Sequence, residues 1–486
     1  MARRAKKRTQ RVSQVFSLGR SQARLDFVDV DVLTDTPLFI SPRALELLPD
    51  DLGDECVSLV QNFFQTVLDL IKAGKDAEAE KLLAILKEPN ETHLGLSRGK
   101  SKGRALGEGS AHLVWRALSR SAAAKSGLLR DLEDTVLLIV GVGVDIISDM
   151  TTNIIRGPLI SYTQRMAAQV GIPLVDGVDS GPMWDPGARQ WFSRYEKLPM
   201  TLEGKLLLVP KAIVRADLQY RADKYFRHFI LTHLREVELK ANSGLVEILK
   251  NGRSRVTKKA LIQKYGKGKK AIVEHSLANP QILDQYRKVI AMEDYSPLTL
   301  DQISDIENNA APDWDALLND VLSIPSGSAD ATRYERASEA LMTALFYPDL
   351  TNPLMQYPQH DGRKRVDIRY TNMARDGFFK WLAAHYPSSQ IWVECKNYTD
   401  DIANNELDQL AGRFSPGRGQ IGILVSRKFN NKALFLKRCR DTADDGRGYI
   451  IPVDDDDLRT LVKYRNETDF YQEWDLLQKR MAQLVN

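Results

Sequence analysis

Near its C-terminal end the chain alternates short apolar runs with helical patterns, and this alternation restricts the fold more than any other feature. Ile391-Trp-Val-Glu-Cys-Lys396, Ile421-Gly-Ile-Leu-Val425 and Tyr449-Ile-Ile-Pro-Val453 have the length and residue types of buried strands. Between them the apolar spacing over about 403–413 and 431–440 is helical. A helical pattern over Arg333 to Phe346 and a strand pattern over about 365–370 come first, and a further helix follows the last run. Strands interleaved with helices predict an α/β unit, placed at residues 331–486.

At 486 residues the chain is too long for one ordinary core, since domains run at about 150 residues each. Residues 1–24 carry Arg3, Arg4, Lys6, Lys7, Arg8 and Arg11 and are expected to form a disordered basic tail. Residues 25–130 read as mainly helical, through Val57, Val60, Phe63, Phe64, Val67 and Ile71. Residues 131–275 are expected to be an α/β middle domain, opening on a buried strand from Val136 to Val144, with a second strand-like run from Lys205 to Pro210. Residues 276–330 are helical and acidic, and their Ile324-Pro-Ser-Gly-Ser328 end suits a linker. The fold class expected is therefore α/β multidomain.

Strand alternation organises the chemistry. Along 391–396, Ile391, Val393 and Cys395 face one side while Trp392, Glu394 and Lys396 face the other. In Arg365-Val-Asp-Ile-Arg-Tyr370, Val366 and Ile368 face the core and Asp367 the opposite, polar side. If the two strands pair, Asp367 and Glu394 converge on a hard cation. Mg²⁺ takes oxygen ligands and is commonly held by one or two carboxylates plus substrate phosphate. Lys396 beside them can stabilise charge developing on a phosphate. A charged pair on a solvated strand face is ordinary. This one ends a strongly apolar strand, follows an Asp-bearing strand, and leads into the helical Asn405-Glu-Leu-Asp-Gln-Leu410.

Those residues resemble the PD-(D/E)xK, restriction endonuclease-like nucleases, closest in style to Mrr-like members, over residues 330–465. Asp367 matches the family's Asp, Glu394 and Lys396 its Glu-x-Lys, and Gln409 its helical Gln. Glu335, which follows an aromatic residue, matches the helical Glu in preference to Glu339. Val366 stands where the name-giving Pro would be. The resemblance implies an αβββαβ core and phosphodiester hydrolysis, usually of DNA, with Mg²⁺ or Mn²⁺. It makes Asp367, Glu394 and Glu335 the metal ligands and adds Lys396 and Gln409 to the catalytic set.

The remaining signals are weaker. Net charge is only +4, but cations cluster at residues 98–104 and 250–270, where Lys258, Lys259, Lys267 and Lys269 are candidate DNA contacts. Solvated loops account for the same clusters. Asp145 and Asp149 share a helical face after the Val136–Val144 run, as phosphate- or metal-sensing groups or as acids complementing a helix dipole. A Walker A sequence is absent, which excludes nucleotide hydrolysis of that type. His228 and His233 lie about 140° apart around a helix, and no Cys-x-x-Cys exists, which excludes the usual zinc arrangements. Tyr398 and Trp392 flank the Glu-bearing strand, Trp392 as a core residue. Three dispersed cysteines fit a reducing cytoplasm, and no apolar run reaches membrane-spanning length. The expectation is a cytoplasmic prokaryotic DNA endonuclease acting in defence against phage or foreign DNA. A dimer or larger homo-oligomer would supply two active sites for two strands, and an unidentified ligand or partner would gate it. A repair or nucleic-acid-binding protein using the same fold, and a ribonuclease, are the alternatives.

Overall fold

The computed structural model describes residues 9–95, 114, 117–119, 121–126, 128–217, 219–293, 295–307, 309–359, 364–399, 402, 404–467 and 475–485. Two large hydrophobic cores divide the molecule. The first runs from Val12 to Ile290 and takes in Met373, and the second runs from Leu300 to Leu484 and takes in Ala23.

The first core merges the two regions that composition had separated at 130/131. Its centre is the helix Asp51–Lys72, which buries Phe63, Phe64, Val67 and Ile71 and packs against Val144–Ile154 and Arg156–Val170. Among the described residues its strands are short and join only in two-stranded ribbons, so the expected α/β middle domain is a helical unit with small ribbons. The run 136–144 is not a strand. It forms the helix Asp134–Leu138 and a turn through Gly141, whose φ of +90° favours glycine. An unbroken apolar run suits a buried helix as well as a strand, and here the buried Asp134 decides, accepting the N–H of Arg130 at 2.8 Å and pairing with Arg287. Of 205–210 only Lys205 is strand, at the end of Gly204–Lys205; Leu206 to Val209 are buried, irregular chain.

Two further boundaries move. Residues 9–24 are not a free tail: Val12 is buried, and the Arg11 guanidinium donates to the carbonyls of Asp29 and Glu307, both at 2.8 Å. Residues 1–8 lie outside the described residues, as does the basic cluster at 98–104. The segment 276–330 is not a linker either. Gly268–Ala278 and Pro280–Met292 belong to the first core, while Leu300–Glu307 and Trp314–Leu322 belong to the second.

The second unit is α/β. Its elements are α1 (Ala331–Phe346), β1 (Leu350–Gln359), β2 (Lys364–Asn372), α2 (Gly377–His385), β3 (Gln390–Lys396), α3 (Asn404–Ala411), β4 (Ile421–Ser426), α4 (Lys432–Asp444), β5 (Tyr449–Asp454), α5 (Asp455–Asn466) and α6 (Asp475–Val485). The five strands lie in the order β1-β2-β3-β4-β5. Pairing is antiparallel between β1, β2 and β3 and parallel between β3, β4 and β5. β3 is central, so both its faces are covered: Ile391, Trp392 and Val393 are all fully buried. No sequence pattern marked β1 or α2. β1 carries Pro353 and Pro358 and is an edge strand, where proline costs no ladder bond. Among the described residues no helix is long and apolar enough to cross a membrane.

Candidate active site

The antiparallel register pairs Ile368 of β2 with Val393 of β3. One residue further on, Asp367 and Glu394 leave the paired stretch side by side. There the Asp367 Oδ2 atom takes over the ladder's role and accepts the N–H of Cys395 at 2.8 Å. Lys396 Nζ donates to Glu394 Oε1 at 2.9 Å, which leaves Glu394 Oε2 buried without a hydrogen-bond partner. From α1, Glu335 accepts the side-chain amide of Gln356 at 2.7 Å, and the same nitrogen stands 3.4 Å from Asp367 Oδ1.

These carboxylates compete for too little positive charge. Burial, then the neighbouring Glu394 charge, pushes the Asp367 carboxyl up to about 7, against the pull of the Cys395 N–H. Burial and Glu394 also raise Glu335, despite the Gln356 hydrogen bond and the cations Arg336 and Lys396. Burial alone would lower Lys396, but the charge and hydrogen bond of Glu394 outweigh it and the ammonium is held above its ordinary value.

Such a donor set fits a hard divalent cation. It offers oxygen only, one buried carboxylate oxygen lacks a partner, and the local charge is net negative. Among the described residues no three His, Cys, Asp or Glu side chains form a ready cage for an ion. A site of two adjacent carboxylates completed by water and phosphate is the arrangement Mg²⁺ commonly adopts.

The other predicted residues are distributed as follows. Glu339 is buried away from the cluster, paired with Arg20 at 2.9 Å and accepting from Thr343 at 3.1 Å. Gln409 is exposed on α3 and hydrogen-bonds to none of the carboxylates. Trp392 is fully buried, and its ring lies 6.2 Å from that of Tyr357. Tyr398 sits at the end of β3, its ring 5.9 Å from Lys396 Nζ. Lys258, Lys259 and Lys267 are exposed in the first unit. Lys269 instead donates to the carbonyls of Ile139 at 2.6 Å and Val142 at 2.7 Å, and burial lowers its pKa to about 8. Asp145 and Asp149 lie on the helix Val144–Ile154, and burial, then Glu88, Asp145 and Asp35, raises Asp149 to about 8. Gln356 is the residue that sequence reasoning missed. It lies on the unexpected β1 at φ +49°, and no local pattern marks it.

Residues 17–221 match the family described as a domain of unknown function, DUF8370. A curated relative, the "Putative transposon gamma-delta 80.3 kDa protein" of Escherichia coli (strain K12), is 26% identical over 104 residues, which is 21% of this chain and 15% of that protein. No solved structure matches.

Proposed function

We propose that the second unit is a Mg²⁺-dependent nuclease that hydrolyses DNA phosphodiester bonds, acting as an endonuclease in prokaryotic defence. The observation that carries this reading is the junction of β2 and β3, where Asp367 and Glu394 adjoin, Lys396 touches Glu394, and Glu394 Oε2 has no partner. An unsatisfied buried oxygen costs about 1–3 kcal/mol, and a cation bound there would remove that cost.

Asp367 and Glu394 would hold the ion, with Glu335 supporting it from α1. A bound divalent cation polarises the scissile phosphate and supplies a water of lowered pKa. The chain's own contributions are positional and electrostatic. The Cys395 N–H fixes Asp367, and Gln356 fixes Glu335. Lys396, held protonated by Glu394, places a cation where charge grows on the phosphate oxygens. Cytoplasmic location, a homo-oligomeric assembly and gating by the amino-terminal unit belong to the same proposal.

The test is cleavage of plasmid DNA, circular single-stranded DNA and RNA with and without EDTA. Asp367→Ala and Glu394→Ala should abolish metal-dependent cleavage, and Lys396→Ala should lose most of it while keeping metal affinity. Mn²⁺ should replace Mg²⁺, whereas Ca²⁺ should support binding with little cutting. Full activity in the Asp367→Ala protein removes the assignment, and cleavage confined to RNA turns the substrate to RNA.

A further inference from the structure

Between the two units runs a cleft of about 930 Å³, and Glu335 and Gln356 of the proposed active site form part of its wall. Much of the remaining polar wall is cationic. Arg165 enters from the helix Arg156–Val170, Arg336 from α1, and Arg365 and Arg369 from β2. Asp50 and Asp51 face them, and Asp50 is partly committed already: it accepts the N–H of Gly53 at 3.0 Å, the Asn352 amide at 2.7 Å and the Thr371 hydroxyl at 3.1 Å.

Two of the arginines keep donors unspent. Arg369 is only 5% exposed, its guanidinium lies 4.5 Å from the Tyr357 ring centroid, and its Nε has no hydrogen-bond partner. Arg165 gives one N–H to Asn352 Oδ1 at 3.1 Å, and its Nε is likewise without a partner. They belong to different units, yet stand close enough for the charge of Arg165 to oppose that of Arg369. Asp50 and Asp51 offset part of the burial cost of Arg369, and an anion shared with Arg165 would offset the opposition of the two guanidinium charges.

We infer that this cleft carries a single strand of nucleic acid to Asp367 and Glu394, with Arg165 and Arg369 sharing one backbone phosphate. The inference rests on the nuclease reading for its destination. The strand is single because of size: pockets of about 300–1,000 Å³ enclose small molecules. A cleft at the top of that range takes a few nucleotides, whereas a duplex offers a major groove that is itself about 12 Å wide. The protein therefore acts on ends, flaps or opened segments, and the amino-terminal unit contributes directly to substrate binding through Arg165.

The experiment measures binding by the full chain, with Ca²⁺ in place of Mg²⁺. The probes are a short labelled DNA strand, the RNA of the same sequence, and the blunt DNA duplex. Arg165→Ala should weaken strand binding about tenfold and lower the salt slope by about one, as expected for one lost phosphate contact, with duplex binding unchanged. Arg336→Ala, at an exposed helical position, should act in the same direction by about threefold, and it serves if Arg165→Ala does not fold. Losses of equal size on strand and duplex, or none on either strand, overturn the proposal. Arg165 dependence on DNA and RNA alike supports a grip on phosphate. The nuclease reading fails separately: wild-type protein that cuts nothing in Mg²⁺, while still binding the strand through Arg165, loses the chemistry and keeps the cleft.

Discussion

Asp367 carries the largest electrostatic burden in the proposed site, because it is buried beside Glu394 and near Glu335. Its pKa in the folded chain is raised from 3.8 to about 7, so its protonated form is the one folding favours. That contribution is fully present below about pH 4 and is lost as pH rises through about 7. Metal-free protein should therefore melt lower at pH 8 than at pH 5.5. Asp367→Asn, which removes the charge and keeps the shape, should be nearly equal to wild type below about pH 4 and more stable above it, its advantage at pH 8 exceeding that at pH 5.5 by on the order of 2 kcal/mol. Thermal melts in EDTA decide this, and an identical pH response in the two proteins removes the strained carboxylate from the account. At this scale the sequence was informative. Side-chain alternation in two strands brought Asp367, Glu394 and Lys396 together on paper, since it depends only on neighbouring residues. In the fold Lys396 touches Glu394 while Asp367 accepts the N–H of Cys395. Gln356, which holds Glu335, depends on the pairing of an edge strand whose prolines and polar residues hide it.

At the scale of single elements, the basic segment shows why charge clusters are read poorly from sequence. Lys258, Lys259, Lys267 and Lys269 look alike as letters. In the fold, Lys269 is a structural cap that satisfies two carbonyls in the turn after the helix Asp134–Leu138. Lys269→Met should leave both carbonyls without partners and cost about 1–3 kcal/mol. Lys258→Ala, at an exposed position, should change stability by about 0.5 kcal/mol or less. Denaturant titration separates the two, and equal effects would make Lys269 another solvated lysine. The misread run at 136–144 has the same origin. Its apolar letters are shared by buried helices and strands, and the residues that settle it, Lys269 and Arg287, lie well over a hundred positions away. The strands β3, β4 and β5 were legible because each is short and apolar, with helical patterns between them.

For the molecule as a whole, the boundary between the units is a set of buried polar contacts that no window of sequence could reveal. Asn352, held at φ +51°, donates its N–H to Asp26 at 2.9 Å and its amide to Asp50 at 2.7 Å. Lys211, fully buried in the first unit, lies 4.2 Å from the Tyr347 ring centroid of the second. The Arg20–Glu339 pair closes the same seam, and Glu339 is 1% exposed. Burial raises the Glu339 carboxyl despite the charge of Arg20, so this pair stands near the balance between desolvation and attraction. Breaking it from one side should be far worse than replacing it altogether. Glu339→Met leaves the Arg20 cation buried against an apolar side chain and should cost about 3–5 kcal/mol, whereas Arg20→Met/Glu339→Met should regain most of that loss. A double-mutant cycle by denaturant unfolding gives the coupling directly. Simple additivity of the two single changes would mean that Arg20 and Glu339 do not sense each other and that the seam holds through Asn352 and Lys211. Strong coupling would mean that the first turns of the chain fasten α1, the helix that also presents Glu335, and would make the amino-terminal unit part of the scaffold of the proposed active site.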